Sequence, residues 1–268
     1  MGKLFGGIEA GGTKFVCAIG STPDNVSYSS EIPTTTPVET MAAVIEFFSG
    51  RNLKRVGVAS FGPVDLEKGR VARTTPKTAW RGFAIREFVE QRLQAPVVLD
   101  TDVNAAALGE SLWGAGQGID PLLYVTIGTG IGGGGIAGGK LLHGLLHPEM
   151  GHVRVPRFDT APGICWAHGD CLEGLASGPA IAARGSDYGL AAEYLGAAIQ
   201  NWACTLSPRM ILLGGGVMKH RGMLGLIRAA AKRQMNGYAP LPVIGFPKFG
   251  QRAGTIGALA LAVQGNGK

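Results

Sequence analysis

The apolar residues of this chain change period repeatedly along its length. LFGGIEA and KFVCAIG flank Gly11-Gly12-Thr13 between residues 4 and 20, which predicts a strand hairpin around a glycine turn. Helical spacing over Val38–Phe48 is followed by a short buried strand, Val56–Ser60, that runs into FGPVD. An amphipathic helix over Phe83–Arg92, a strand over Val97–Asp100 and an alanine-rich helix over Val103–Leu112 come next. Leu122–Ile127 predicts a strand that enters GTGIGGGGIAGG, with Ile136–Leu141 as its hairpin partner. The C-terminal third predicts a helix over Ala191–Leu206 closed by Ser207-Pro208 and a strand Met210–Leu213 entering GGGV. Helices over Leu224–Met235 and Ala253–Val263 follow.

The order hairpin, alternating helix and strand, then a second hairpin is a weak internal repeat, GIEAGGTKF against VTIGTGIGGGGI. It predicts an α/β class with two similar lobes and a ligand cleft between them. The turn GAGQGIDP marks the boundary. Residues 1–115 would form the smaller lobe, with the C-terminal helix 253–268 packed back on it. Residues 116–252 would form the larger one.

Hydrophobic residues make up 46% of the 268 and charged residues 16%, so burial is ample and disorder is not expected. No apolar run reaches the roughly 18 residues of a membrane helix. The N-terminus has no apolar export signal, and Gly2 lacks the serine or threonine that would complete a myristoylation signal. A cytoplasmic protein is expected. The net charge of +6 is scattered, without a basic run or an aromatic RNA-binding motif, and suits attraction of nucleotide phosphates better than nucleic acid.

The 44 glycines are roughly twice average usage and cluster after strand-like runs. Gly11, Gly12 and Thr13 can line an anion-binding concavity, with Thr13 and Lys14 as donors to phosphate and Glu9 holding Mg²⁺ directly or through water. An ordinary glycine hairpin is the plain alternative. Gly128, Thr129 and Gly130 repeat the arrangement, and two such turns at matching places are more specific than either alone. Gly214, Gly215 and Gly216 end a strand where a base or ribose can lie on bare backbone, with a helix N-terminus facing phosphate; close strand–helix packing explains them equally well. In DTDVNAAALGE, Asp102 suits either an N-cap or a general base for a hydroxyl. Asn104 and Asp100 are candidates for sugar hydroxyls, although Asp100 also serves simply to end its strand.

His152, Cys165, His168 and Cys171 form a mixed imidazole–thiolate set, with C-x2-H-x2-C thirteen positions after the first histidine. Zn²⁺ favours four such ligands in a tetrahedron, and a closed set is structural rather than catalytic. A buried thiol pair with two surface imidazoles, or a Cys165–Cys171 disulfide, are the alternatives; reduced cytosolic thiols argue against the disulfide. Cys17 and Cys204 lie in apolar runs and read as core residues. Glu149, Glu173 and His152 can accept from vicinal sugar hydroxyls or support the metal.

These motifs together resemble the ROK sugar kinase family, within the actin–hexokinase (ribonuclease H-like) fold, from Gly6 to about Ala262. GIEAGGTKF resembles its first phosphate motif, with Glu9 where most members carry aspartate. SFGPVD, TTPKTAW and HPEMGH resemble the bacterial zinc-containing fructokinase branch, and His168 replaces a cysteine usual in the glucokinases. The resemblance implies ATP-dependent phosphorylation of fructose at the 6-hydroxyl, with Asp102 as base. It implies sugar contacts at Gly62, Asn104, Glu149, His152 and Glu173. ATP and Mg²⁺ would be met by Glu9, Gly11, Gly12, Thr13 and Lys14 and by Gly128, Thr129 and Gly130, with Gly214 to Gly216 beside the adenosine. A structural Zn²⁺ and a homodimer are further implications. A broader hexose kinase acting on glucose or mannose and a non-catalytic sugar-binding protein are the rival readings. A repressor would need a DNA-binding domain before Ile8, where no room is expected. Relatives carry a couple of dozen more residues after Ala183, and the loop after Asp65 is also short.

Overall fold

The computed structural model describes residues 4–265; Gly2 and the last three residues of the expected 253–268 helix lie outside it. The first half contains β1 (Leu4–Ala10), β2 (Lys14–Gly20), β3 (Val26–Pro33), α1 (Pro37–Phe48) and β4 (Leu53–Ser60), the small hairpin β5 (Val64–Asp65) and β6 (Arg70–Val71), then α2 (Ile85–Leu93), β7 (Val97–Thr101) and α3 (Asp102–Trp113). The second half contains β8 (Leu122–Ile127), β9 (Ile131–Ala137), β10 (Lys140–Leu141), α4 (Leu172–Ala176), α5 (Gly178–Ala183), α6 (Tyr188–Leu206), β11 (Met210–Gly214), α7 (Met223–Met235), β12 (Val243–Gly245) and α8 (Ala253–Gln264).

The strands form two five-stranded sheets of the same topology, β3-β2-β1-β4-β7 and β10-β9-β8-β11-β12. In each, a three-stranded antiparallel ribbon continues into two parallel strands. The repeat in the sequence is thus a repeat of pairing order. The glycine-rich run behaves differently from its expected role as a turn: Gly132 to Gly135 lie inside β9, paired with Leu123 to Thr126, and Lys140–Leu141 is only a short edge strand. Bare glycine backbone there lets α3 approach, since a Cβ on Gly134 would lie 2.4 Å from Asn104 Oδ1.

Helices α3 and α8 pack together between the sheets, α3 against β8 and β9 and α8 against β1 and β4. Residues 255–262 of α8 are all buried, which is why its sequence is apolar on every face. Glu110, fully buried in α3, accepts from the backbone N–H of Ala115 (2.8 Å), Lys248 (3.0 Å) and Phe249 (2.9 Å), tying α3 to the loop that leads into α8. Ample backbone donors let a carboxylate sit in the core without a cation.

Three expectations shift at element ends. Thr101, whose Oγ1 accepts from Asn104 N–H at 3.2 Å, caps α3, so Asp102 is its first residue and not its cap. Helix α6 starts at Tyr188, after a short turn from α5 in which Gly185 and Ser186 are left-handed. This turn stacks Tyr188 flat on His220 at 3.6 Å, and Arg184 of the same turn is held by Asp159 at 3.0 Å. Cys204 is exposed rather than in the core, because two steps along a helix from buried Trp202 it lies on the opposite face.

A Cβ on Gly57 of β4 would lie 1.9 Å from the Ala258 carbonyl oxygen of α8. Gly57→Ala should cost about 3 kcal/mol through this backbone collision, measured by urea unfolding at constant m-value.

Candidate active site

The two glycine turns occupy equivalent places at the ends of their sheets. In the first, Gly11 N–H donates to Lys14 O at 3.0 Å, and Thr34 Oγ1 donates to Gly11 O at 2.8 Å. In the second, Gly128 N–H donates to Gly130 O at 2.8 Å, and Gly178 N–H donates to Gly128 O at 2.7 Å. Gly215, at φ 92°, would place a Cβ 2.3 Å from Ile127 O, so only glycine passes so close behind the second turn. Gly216 N lies 3.9 Å from the point where a Gly128 Cβ would stand, so the 214–216 segment and the second turn share one surface. The helix expected directly after Gly216 is a single 3-10 turn, Val217–Lys219, and α7 begins only at Met223. The N-terminus of α7 therefore does not follow directly on Gly216.

Asp102 stands at the start of α3, where β7 delivers it between the sheets. It keeps some exposed surface but protein encloses it on nearly every side, and burial pushes its carboxyl from 3.8 up to about 7, with the charge of Glu9 adding to the effect. Val103 N–H donates to its Oδ1 at 2.9 Å. Burial likewise raises Glu149 to about 7, helped by Glu173 and then Asp102. Glu9 is also raised by burial, against a lowering hydrogen bond from Thr255. Four carboxylates thus face a common region, a field suited to polyhydroxyl groups and cations.

Gly62 lies beside Glu149, with Oε1 3.6 Å from the position of a Gly62 Cβ. Glu149 Oε2 is 4.0 Å from His152 Nε2, and Glu173 Oε2 accepts from Ile131 N–H at 2.9 Å. Glu9 does not simply point into its turn: Oε2 accepts from Thr255 Oγ1 at 2.5 Å, which braces β1 against α8. Lys14 is directed to Glu31 across the exposed ribbon. Asn104, expected among sugar contacts, is fully buried and committed. Its Nδ2 donates to Asp100 Oδ1 (3.0 Å) and Leu142 O (3.2 Å), and its Oδ1 accepts from Gly135 N–H (3.0 Å). Asn104 is a strut between the sheets, with no reach for a ligand. Asp100, also buried, accepts from Thr101 N–H at 2.7 Å and pairs with His143 Nε2 at 2.8 Å.

Sequence reasoning passed over three residues here. His147 is buried; Val64 N–H donates to its Nε2 at 3.0 Å, and its Nδ1–H donates to Pro148 O at 3.3 Å, which joins the FGPVD loop to the Glu149 segment. His143 holds Asp100. Lys77 reaches the first glycine turn. His147 and Lys77 lie in the HPEMGH and TTPKTAW segments, and His143 precedes the first of these by four positions; nothing in the spacing revealed what each would meet.

The donor atoms of His152, Cys165, His168 and Cys171 all lie within 4.8 Å of one another, and neither thiol is in a disulfide. His152 Nδ1 is 3.5 Å from Cys171 Sγ, 3.7 Å from Cys165 Sγ and 3.2 Å from His168 Nδ1. Bond lengths of about 2.0–2.3 Å to zinc imply tetrahedral edges of about 3.3–3.8 Å; the three His152 separations are close to that range and Cys165 Sγ to His168 Nδ1, at 4.0 Å, is slightly longer, so the donor chemistry and spacing suit such an ion after a small contraction. With Nδ1 turned to the two sulfurs, His152 Nε2 faces Glu149, linking the imidazole–thiolate set to the acidic cleft.

A profile of the ROK family matches residues 5–194 and 187–265. The chain belongs to the ROK family. A putative fructokinase of Bacillus subtilis (strain 168) is 44% identical, covering 97% of this chain and 96% of its own. A fructokinase of Lactococcus lactis subsp. cremoris is 40% identical over 90% of this chain and 89% of its own. The crystal structure of a ROK family glucokinase from Streptomyces griseus, in complex with glucose and AMPPNP, superposes with a TM-score of 0.82 at 28% identity, covering 98% of this chain and 100% of that one. The fold of this ROK protein is therefore the two-lobed actin/hexokinase-like α/β fold. Its alignment with the B. subtilis protein runs over 287 positions, more than its own 268 residues, so that relative carries residues this chain lacks. The two family matches overlap at 187–194, in the first turns of α6 just beyond the tight α5–α6 turn.

A carboxyl raised to about 7 by burial is least costly when protonated, so stability is full below the ordinary carboxylate range and falls as pH rises toward 7. Asp102→Asn removes that cost. Its unfolding free energy in urea should exceed the wild type's by a margin that grows from pH 4 to pH 7 and then levels off, at up to about 4 kcal/mol. A margin independent of pH would contradict the raised value.

Proposed function

We propose that this ROK protein transfers the γ-phosphoryl group of ATP to the 6-hydroxyl of D-fructose. The observation that carries the reading is Asp102, the first residue of α3 between the two sheets, whose carboxyl burial raises to about 7 and whose charge is felt by Glu149 as that of Glu9 is felt by it. A base poised near neutral pH is half ionised where it works, and still basic enough to accept an alcohol proton. Asp102 takes the proton of the 6-hydroxyl as that oxygen attacks the γ-phosphorus and ADP leaves. Phosphoryl transfer is chiefly positioning and charge stabilisation. Backbone N–H groups of Gly11 to Thr13 and Gly128 to Gly130 would hold the phosphates, and Gly214 to Gly216 would flank the nucleoside. Glu9, braced by Thr255, would hold Mg²⁺ through water; the ion would supply positive charge to the phosphates. Gly62, Glu149, His152 and Glu173 would bind the sugar. His152, Cys165, His168 and Cys171 would hold Zn²⁺ as a structural tie that orients His152 toward Glu149.

Fructose is favoured by the names of the B. subtilis and L. lactis relatives, at 44% and 40% identity. The glucose complex of the S. griseus relative supports the second reading, a broader hexose kinase. A coupled ADP-release assay over fructose, glucose and mannose separates them. Fructose should give the highest kcat/KM, and a glucose value tenfold above it would overturn the first reading. Asp102→Asn should keep the fold and lower kcat by about 10³-fold or more; a loss under tenfold would remove Asp102 as base. Metal analysis should find one zinc per chain, and chelation should raise the KM for sugar while opening the 147–173 segment to proteolysis. Full sugar affinity in zinc-free protein would reject the tie.

A further inference from the structure

Two lysines, Lys14 and Lys77, stand near the first glycine turn. Lys14 points along the ribbon to Glu31, away from the turn. A second lysine takes up the position. A Cβ on Gly12 would stand 3.0 Å from Lys77 Cε and 3.3 Å from Lys77 Nζ. Gly12 itself has no left-handed backbone, so its conformation admits any side chain. What the missing side chain leaves clear is the space over the turn into which the Lys77 ammonium reaches.

The backbone that carries Lys77 is firmly seated. Trp80 N–H donates to Lys77 O at 2.9 Å, and Lys77 N–H donates to Thr75 Oγ1 at 3.4 Å. Trp80 is buried, donates Nε1–H to Thr35 O at 3.0 Å, and packs against Phe15 of β2 with ring centres 5.1 Å apart. Phe15 lies two residues beyond Thr13, so the turn and the lysine share one support. Thr75, fully buried, donates its hydroxyl to Gly62 O at 3.1 Å. Gly62 is the neighbour of Glu149 on the acceptor side. Lys77 therefore stands on a short rigid bridge between the acceptor side and the phosphate turn, with only its own methylenes free to adjust.

The cleft supplies the reason for such a cation. Glu9, Asp102, Glu149 and Glu173 are all acidic, and a triphosphate entering their field needs positive charge where negative charge develops on the transferring group. Mg²⁺ would supply positive charge to the phosphates, and a lysine would add a mobile point charge at the terminal one. We propose that Lys77 is a catalytic residue that contacts the terminal phosphate of the bound nucleoside triphosphate, in the place the sequence pattern would give to Lys14. This deepens the proposed kinase reading and rests on it.

The test uses the full-length chain with Lys77→Met and Lys77→Arg, and Lys14→Met as comparison. Lys77→Met should lower kcat/KM for ATP about 100-fold, mostly in kcat, with the sugar KM within threefold of wild type and the thermal midpoint unchanged. Lys77→Arg should recover at least a tenth of wild-type activity, and Lys14→Met should stay within about threefold. Calorimetric titration should show ATP binding weakened more than ADP binding in Lys77→Met. Wild-type kcat/KM in Lys77→Met overturns the proposal. So does equal weakening of ATP and ADP, or a fall in thermal midpoint and sugar affinity that matches the loss of rate, since either marks a structural role. Asp102→Asn keeps the two readings apart: if it abolishes turnover while Lys77→Met is silent, the lysine assignment alone fails.

Discussion

One buried amide holds this molecule in its working shape. Asn104 belongs to α3, yet three of its hydrogen bonds are to Asp100 of the first sheet's last strand, to Gly135 of β9 and to Leu142 after β10. A polar group sealed from water must find partners or cost on the order of 1–3 kcal/mol. Both halves of the chain therefore have to arrive in register for Asn104 to be satisfied. Asp102, two residues earlier on the same helix turn, is placed as a consequence. The His143–Asp100 pair repeats the tie from the other side, again joining the second half to the strand that delivers Asp102.

With that register set, the electrostatics follow from enclosure. Asp102 and Glu149 are both pushed to about 7 chiefly by burial, with the charge of Glu9 adding to the first and those of Glu173 and Asp102 to the second. Such carboxyls are costly to ionise in the ligand-free protein. A sugar that donates hydroxyl hydrogens, or a cation, offsets that cost, so the same burial that weakens the fold prepares the site for its ligands. His152 joins the imidazole–thiolate set to the cleft, its two ring nitrogens facing in different directions, one to the sulfurs and one to Glu149. A residue of a set suited to a structural ion thus also faces an acid of the cleft.

The tight α5–α6 turn is held by its own contacts: Arg184 is anchored on Asp159, Asp187 caps α6 through Leu190 N–H at 2.8 Å, and Tyr188 finds a flat partner in His220. None of the groups that face the cleft lies in that stretch. Short surface turns replace longer excursions with little energetic loss, because loop closure depends only weakly on length.

Much of this protein is legible in its residue order. Strand and helix periods, the paired glycine turns and the spacing of two histidines and two cysteines follow local rules of backbone geometry and ligand chemistry, and they survive in the fold. The direction taken by a polar side chain is not a local matter. Asp100, Asn104 and Glu110 sit in one strand–helix unit with equal claim to a cleft, and only the approach of β9, His143 and the 248–249 backbone turned all three inward. Lys14 and Lys77 are likewise both lysines near a phosphate turn, one in its motif and one sixty-odd residues away. Glu31 on the neighbouring strand drew the first aside, and the packing of Trp80 on Phe15 brought the second in. Hydrogen-bond partners distant in sequence settle such choices, and partners distant in sequence exist only once the chain has folded.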